Sequence, residues 1–437
     1  MASNARLRLF DLVMIVIGLV IGMGIFRTAK DAALAALSPA IYFAAWITGG
    51  IIALCGALTY AEIGSRYPVT GGYYRVFSYA YHPSLAFALN CSILLSNAAS
   101  IGAVALIGSS YILPVIFPAA TPQMTQVVAI MAILIFYGVN VAGLRLSAMA
   151  ENMLMVIKLL MLLALIAALF YPPAYAENNV PLSQPSGASW TAIISSFGLS
   201  LVAVSFTFGG YQQTINFGSE VENQSRNIPK GIFTGIIVII VLYLLTNWAY
   251  YSIIGFNELK DSGEIASVVI RRVFGDTGAT VLSVLLFFSV LAYVNVSLLS
   301  NPRVMFAMSE DGALPAVFKK RSVNRGVYTV SLAVFSLMAA IVVFFAETFE
   351  RTLAFTIFLD CFGMVTSAAA IFKLRKQTRH LDGKVYKMKL YPLVPIVFIL
   401  GYVLICIVVI INKPFIALAG TAFLFGFGLL YFLIRRR

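Results

Sequence analysis

The stretch Ile21-Gly22-Met23-Gly24-Ile25-Phe26 lies at the centre of the first long apolar segment of the chain. A second stretch, Phe206-Thr207-Phe208-Gly209-Gly210-Tyr211, lies at the centre of the sixth apolar segment. A glycine weakens an α-helix by roughly 1 kcal/mol relative to alanine, so a helix can be interrupted there at little cost. The two stretches therefore predict two helices that are broken at mid-length.

The composition places these helices in a membrane. Hydrophobic residues make up 61% of the 437 residues and charged residues 11%, against about 25% charged in a soluble domain. The mean hydropathy of +0.94 excludes a soluble domain, a coiled coil and a disordered chain. An apolar stretch of about 20 residues spans the hydrocarbon core. We predict an all-α integral membrane protein with twelve transmembrane helices, near 11–36, 40–65, 83–112, 124–142, 151–171, 190–219, 229–255, 276–308, 326–346, 351–373, 391–411 and 414–434.

The net charge of +13 would suggest a nucleic-acid partner for a soluble protein. With the N-terminus inside, however, 23 of the 30 Lys and Arg residues fall on one side of the membrane. Because basic residues are enriched in cytoplasmic connections, we predict cytoplasmic N- and C-termini in the plasma (inner) membrane, and no nucleic-acid partner. One external connection, 257–275, mixes charged residues with Ile and Val at helical spacing. This pattern fits either short amphipathic helices or a solvated loop.

The four cysteines are far apart in apolar runs, and the chain has two histidines. This pattern resembles neither a disulfide framework nor a zinc site. The sequence contains no phosphate-binding G-x-x-x-x-G-K-[ST] loop. We therefore expect no metal and no cofactor.

The two predicted breaks lie in spans one and six, which cross the membrane in opposite directions. Interrupted segments at matching positions of two halves indicate an inverted-repeat transporter. Unwound turns expose N–H groups at the start of one half-helix and carbonyls at the end of the other, and these groups can bind the two poles of a zwitterion. The predicted substrate-binding residues are Ile21, Gly22, Met23, Gly24, Ile25, Phe206, Thr207, Phe208 and Gly209.

Several motifs occur in order along most of the chain. They are Gly22-Met23-Gly24-Ile25-Phe26, then Thr59 to Gly64 with Gly71-Gly72-Tyr73-Tyr74, then Phe206-x-Phe208-Gly209-Gly210, Ile228-Pro229-Lys230, and Arg303 to Pro315. Together they resemble the amino acid–polyamine–organocation (APC) superfamily, and within it the L-type amino acid transporter family and its bacterial relatives. Met23 departs from the small polar residue usual at its position.

The resemblance implies a leucine-transporter-like, five-plus-five inverted-repeat core with broken helices 1 and 6. It assigns residues 1–375 to the core, with spans 1–5 near 11–171 and spans 6–10 near 190–373, and residues 391–434 to two additional helices. It also implies alternating access for amino acids, often by obligatory exchange. Eukaryotic relatives link to a glycoprotein through a cysteine between spans three and four. The loop from Phe117 to Gln123 has none, so we expect no disulfide-linked ancillary subunit.

Lys158 is the most informative charged residue, because a lysine at membrane depth by default faces an interior partner or water. The alternative is that its side chain snorkels to the interface. In related transporters a lysine here replaces a sodium ion and bridges span one to span eight, where Ser297 is a candidate partner. This role implies sodium-independent transport, whereas a deprotonated Lys158 could instead carry a proton.

Several other residues of the spans are candidates for gating or for ion pairs. Phe206 is a candidate lid, and Tyr250, next to Asn247 on one face of span seven, could tie that span to the first break. Asn295 in span eight is a further candidate for coupling or gating. We expect Glu62 to pair with Arg66. Glu220 and Glu222 are expected to pair with Arg226 or other loop bases, and Asp360 has no evident partner.

We therefore expect a secondary transporter of neutral L-amino acids, acting by sodium-independent exchange. The lining residues that can be named carry no acid, which disfavours a cationic substrate. Proton-coupled symport is the alternative, and a channel or an intramembrane enzyme is disfavoured because the sequence offers no repeated filter and no paired catalytic groups.

Overall fold

The computed structural model describes residues 6–22, 24–117, 121–170, 187, 189–262, 265–322, 324–345 and 349–435. Within these ranges the chain forms fourteen α-helices and several short 3-10 turns, and no β-strand. The helices are α1 Leu9–Val20, α2 Gly24–Ala35, α3 Pro39–Arg66, α4 Gly72–Ala80, α5 Pro83–Ile116, α6 Pro122–Ala142, α7 Leu144–Ala167, α8 Trp190–Phe208, α9 Gln224–Asp261, α10 Ile265–Glu310, α11 Thr329–Phe345, α12 Phe349–Gln377, α13 Leu393–Asn412 and α14 Pro414–Arg435.

Ten of these helices are long and apolar enough to cross a membrane. The first predicted span is divided between α1 and α2, and the ninth corresponds to α11, an apolar helix of 17 residues. Several helices begin with a proline behind a capping side chain, as at Ser38, His82 and Thr121. This arrangement suits proline because its missing N–H would have no helical partner at that position.

The broken helices lie inside the bundle. The first half-helix, α1, packs against α9, and α2 packs against α8, while α3 contacts both α8 and α9. On the other side, α5 and α7 pack against α10. The centre of the bundle is therefore lined by elements distant in sequence.

The connection at 257–275 contains short helices, as one of the two predicted alternatives requires. α9 and α10 each change direction at a glycine with positive φ, Gly255 (φ 76°) and Gly275 (φ 71°). The short segments that result bury Leu259, Ile265 and Val269. This connection therefore packs onto the bundle rather than extending into solvent.

The fifth predicted span was placed too late in the sequence. Its helix begins at Leu144 rather than near residue 151 and ends at Ala167. Glu151 therefore lies two turns inside the helix and is fully buried, instead of marking the membrane interface. The charged residue near the start of the helix is Arg145, which is exposed.

Candidate substrate-binding site

The first break separates α1, which ends at Val20, from α2, which begins at Gly24. The N–H of Ile21 still donates to the carbonyl of Ile17, four residues earlier, at 2.7 Å. The N–H of Gly22 donates instead to the carbonyl of Val20, two residues earlier, at 2.8 Å. The regular helical pattern then stops. Met23, a predicted site residue, lies outside the described residues.

The second break follows the end of α8 at Phe208. Gly209 is extended, Gly210 has a φ of 116°, and a 3-10 helix, Tyr211–Asn216, continues the chain. A Cβ on Gly210 would lie 2.1 Å from the carbonyl oxygen of Leu19. Glycine is required there both by the backbone angle and by contact with the end of α1.

Two side chains tie the breaks together. The Tyr243 hydroxyl of α9 lies 3.2 Å from the carbonyl oxygens of both Val20 and Thr207, and it can donate to either. The hydroxyls of Thr28 and Thr207 also share a hydrogen bond. The two half-helix ends are therefore held against each other from both sides.

The prediction that Tyr250 ties span seven to the first break was wrong. Its hydroxyl is buried and has no hydrogen-bond partner among the described residues. Tyr250 lies seven residues beyond Tyr243, about 10 Å further along the helix, so Tyr243 makes this contact. The neighbouring Asn247 accepts a hydrogen bond from the hydroxyl of Tyr42.

A cavity of about 50 Å³ lies between the two breaks. Five of the predicted residues line it: Gly22, Gly24, Phe206, Thr207 and Gly209. The other three described predictions, Ile21, Ile25 and Phe208, are buried and are not lining residues. Phe208 instead packs against Trp46 and Tyr243. Phe206 is half-buried at the cavity, where a lid could act.

The sequence interpretation missed most of the polar wall. Asn97 and Ser100 of α5, together with Gln213 beyond the second break, line the cavity. Tyr293 of α10 and Tyr402 of α13 complete it. Asn97 and Ser100 are three residues apart and Val104 follows at i+7, which is the spacing of one helix face. That spacing was a usable signal, but it does not reveal what the face contacts.

Asp360 also lines the cavity. The argument against a cationic substrate, which relied on lining residues without an acid, therefore loses its basis. The residue was noticed in the sequence without a role, because a single helix does not reveal which neighbour its polar face meets.

Lys158 is fully buried, so the snorkelling interpretation was wrong. Its ammonium donates a hydrogen bond to the carbonyl of Ile21, the residue at which α1 ends. The predicted partner in span eight, Ser297, forms no hydrogen bond with Lys158 among the described residues. The carbonyl of Ser297 instead accepts a hydrogen bond from the Asn301 amide at 2.9 Å.

The link from α7 to span eight runs through Glu151, which the sequence interpretation did not include. The Asn295 amide donates to its carboxylate at 2.8 Å, and the Asn140 amide donates to Asn295 at 2.9 Å. A Cβ on Gly18 would lie 2.1 Å from Glu151 Oε1, so the carboxylate also touches α1. Asn295 therefore joins α6, α7 and α10 rather than lining the cavity.

Glu220 and Arg303 form a buried ion pair, with nitrogen and oxygen 2.6 Å apart. The Tyr328 hydroxyl adds a hydrogen bond to Glu220 at 3.3 Å. The backbone of Leu7 bonds with that of Glu220 (2.8 Å) and of Glu222 (3.0 Å). Of the expected partners of Glu220, which were Arg226 or other loop bases, Arg226 was wrong, because Arg303 near the end of α10 takes this place.

The pairing of Glu62 with Arg66 is confirmed, at 2.8 Å. Both side chains are fully buried, and Arg375 and Asp382 extend the pair into a network. Within the described ranges, no group of three or more His, Cys, Asp and Glu side chains could hold a metal ion.

A polar cavity between two interrupted apolar helices is typical of a membrane transporter. Comparison with known proteins gives the class: residues 7–434 match the amino acid permease family, and the chain belongs to it. The protein is thus an integral membrane amino acid transporter of the APC superfamily, and not an enzyme.

Three proteins with established names are similar to this chain over most of its length. The chain is 29% identical to the serine/threonine exchanger SteT of Bacillus subtilis, over 89% of this chain and 87% of that protein. It is 24% identical to the mouse Asc-type amino acid transporter 1, over 93% and 76%. It is also 29% identical to the methylthioribose transporter of Bacillus subtilis, over 73% and 70%.

Proposed function

We propose that the protein exchanges small neutral L-amino acids across the membrane by alternating access, without sodium. The observation that carries this proposal is the cavity bounded by both helix breaks. The N–H groups that open α2 and the carbonyls that close α1 and α8 present opposite partial charges. An amino acid carries a carboxylate and an ammonium, and these two poles complement such a site without a charged side chain.

The position of Lys158 supports sodium independence. Its ammonium donates a hydrogen bond to the carbonyl oxygen of Ile21. A bound sodium ion would need an oxygen of this kind as a ligand. A fixed positive charge beside that carbonyl also repels a second cation. The transporter then needs no ion to hold the end of α1 in place.

The size of the cavity supports a small substrate. One water molecule needs roughly 10–15 Å³ of cavity volume. The cavity of about 50 Å³ therefore has room for only a few groups the size of a water molecule. A large aromatic amino acid would require the walls to move apart. The relative named as a serine/threonine exchanger agrees with a preference for short side chains.

The proposed architecture is a five-plus-five inverted repeat in residues 1–375, followed by two additional helices in residues 391–434. In this arrangement α1 and α2 form the first of twelve crossings, and α11 forms the ninth.

The excess of Lys and Arg on one side favours cytoplasmic termini in the plasma membrane. The contacts among Leu7, Glu220, Arg303 and Tyr328 then close the cytoplasmic side of the cavity. The loop between spans three and four lacks cysteine, so we propose that no disulfide-linked subunit is needed.

The test is counterflow in liposomes that contain the purified protein. Vesicles loaded with unlabelled serine should accumulate labelled serine without sodium and without a pH gradient, because exchange needs only substrate on both sides. Empty vesicles should accumulate little. Uptake into empty vesicles that requires an inward proton gradient would replace exchange with proton symport, and non-saturating ion conductance would indicate a channel.

A further inference from the structure

Asp360 stands out among the cavity residues. Ile357, Asp360 and Met364 follow one another at helical spacing along α12 and line the cavity. Among the described lining residues, Asp360 is the single carboxylate, and no lysine or arginine accompanies it. It is half-buried, because its side chain faces this internal space.

The carboxylate is poorly satisfied by the protein. Among the described residues one hydrogen bond reaches it, from the hydroxyl of Ser96 at 3.3 Å. Within the described part of the chain, no basic group forms an ion pair with it. The neighbouring amides differ, because Gln213 donates to Asn97 (3.3 Å) and Asn97 donates to Asn301 (2.6 Å). Asp360 therefore has unused capacity to accept hydrogen bonds at the cavity wall.

The surroundings of Asp360 suit a cation rather than a neutral ligand. Two of the residues that line the cavity with Asp360, Tyr293 and Tyr402, are aromatic. Aromatic faces attract an ammonium group, and the attraction grows where water is excluded. An unpaired carboxylate at membrane depth is costly until a cation neutralises it.

The geometry relates Asp360 to the helix breaks. A Cβ on Gly22 would lie 3.5 Å from the ring of Tyr293, so this ring borders the first break. Tyr293 and Asp360 line the same cavity. An amino acid whose α-groups bind at the breaks would thus direct its side chain past Tyr293 toward Asp360. The small cavity allows only a short side chain.

We infer that Asp360 forms a side-chain subsite for a second amino group, so that the transporter also accepts short diamino acids. A substrate of this class is 2,4-diaminobutyrate, whose side chain ends in an ammonium group. Its neutral isostere is norvaline, which has a methyl group at the same position. This inference rests on the proposed function, because it assumes that the α-groups bind at the breaks.

The experiment measures competition against labelled serine in the counterflow assay. For the wild type, 2,4-diaminobutyrate should inhibit at least tenfold more strongly than norvaline, because it alone carries a cation for Asp360. Asp360→Asn should reduce this ratio at least tenfold, whereas Asp360→Glu, which keeps the charge, should retain most of it. Asp276→Asn is the matched control, since Asp276 is an exposed residue paired with Arg271 outside the cavity.

A second measurement is independent of transport and of labelled serine. For the purified wild type, 2,4-diaminobutyrate should raise the melting temperature more than norvaline does. In Asp360→Asn this difference between the two compounds should disappear. The inference is overturned if the wild type does not prefer the diamino acid, or if Asp360→Asn keeps the ratio. Absent serine counterflow would reject the proposed exchange, while the thermal shifts would still decide the role of Asp360.

Discussion

The two helix breaks bound the same cavity, but they are maintained by different means. At the first break, the carbonyl of Ile21 is held by the ammonium of Lys158, a side chain from α7. At the second break, Gly210 adopts a positive φ, and its missing side chain leaves room for the carbonyl of Leu19. The first break depends on a charged contact between helices, and the second depends on the backbone itself.

This difference suggests which break can change shape during transport. A hydrogen bond between side chain and carbonyl can form and dissociate as α1 moves relative to α7. A backbone angle accessible mainly to glycine imposes a fixed turn on the chain after α8. We expect α1 to be the mobile half-helix and the second break to act as the fixed wall.

The largest effect should come from Gly210→Ala. The added Cβ would lie 2.1 Å from the Leu19 carbonyl, and a non-glycine residue at such an angle costs about 1–3 kcal/mol before any clash. Serine counterflow should fall at least tenfold, and the melting temperature in detergent should fall. Gly138→Ala is the control, because nothing lies within 4 Å of its added Cβ. A fully active Gly210→Ala protein would contradict the fixed wall.

Lys158→Ala should come next. It leaves the Ile21 carbonyl without its partner and removes the positive charge two helical turns away from the buried Glu151. A buried polar group left without its hydrogen bond costs about 1–3 kcal/mol. We expect at least a tenfold loss of counterflow and a lower melting temperature.

The double variant Lys158→Ala, Glu151→Gln separates these two effects. It should recover part of the melting temperature, because the uncompensated charge is removed, but not the counterflow, because the Ile21 carbonyl stays unpaired. Recovery of counterflow in the double variant would mean that Lys158 serves only to neutralise Glu151.

Tyr243→Phe should have a smaller effect on both breaks at once. It removes the one hydroxyl proton that can bond the carbonyl of Val20 or of Thr207 (3.2 Å each), and this hydrogen bond contributes about 1 kcal/mol to stability. The melting temperature should fall modestly and counterflow severalfold. Tyr250→Phe removes a buried hydroxyl without a partner among the described residues. It should leave the protein at least as stable as the wild type, because an unsatisfied buried hydroxyl is itself destabilising. Equal effects of the two substitutions would contradict the bridging role of Tyr243.

The smallest effect should come from Asp382, which is distant from both breaks. Hydrogen bonds from Arg66 (2.8 Å) and Lys387 (3.1 Å) lower the pKa of Asp382 to about 2. A lowered pKa stabilises the folded state above the unfolded value near 4, and this stabilisation is lost as the pH falls toward 2. Asp382→Asn should slightly reduce the melting temperature at pH 7, and the difference from wild type should close below pH 4. A constant difference would exclude the carboxylate as its source.

Glycine placement predicted both breaks in the correct segments, because glycine has a strong local effect on helix stability. Lys158 was predicted to be interior for a similarly general reason, the cost of a charge in a membrane. Its contact with the end of span one follows the family resemblance, whereas Ser297 was not its partner. The start of the fifth span was misjudged, and this error placed Glu151 at the interface and hid its role.

Asp360, Tyr243 and Arg303 illustrate what one chain without relatives could not reveal. Each lies on a long apolar helix, and the segments around them resemble one another in composition. A helix that is hydrophobic all round has no amphipathic face to indicate which side meets the interior. The partners of these residues therefore depend on how the helices are rotated and packed.

The helical membrane fold and the two helix breaks followed from the hydropathy and from the position of glycines. Both signals are local, because each depends only on residues that are near one another in the sequence. Packing alone determined that Tyr243 joins the two breaks, that Glu151 contacts α1 and α10, and that Asp360 faces the cavity. These contacts join residues more than a hundred positions apart, or helices whose orientation an apolar sequence leaves open. Local physical rules cannot specify them, because the contacts exist only once the bundle has formed.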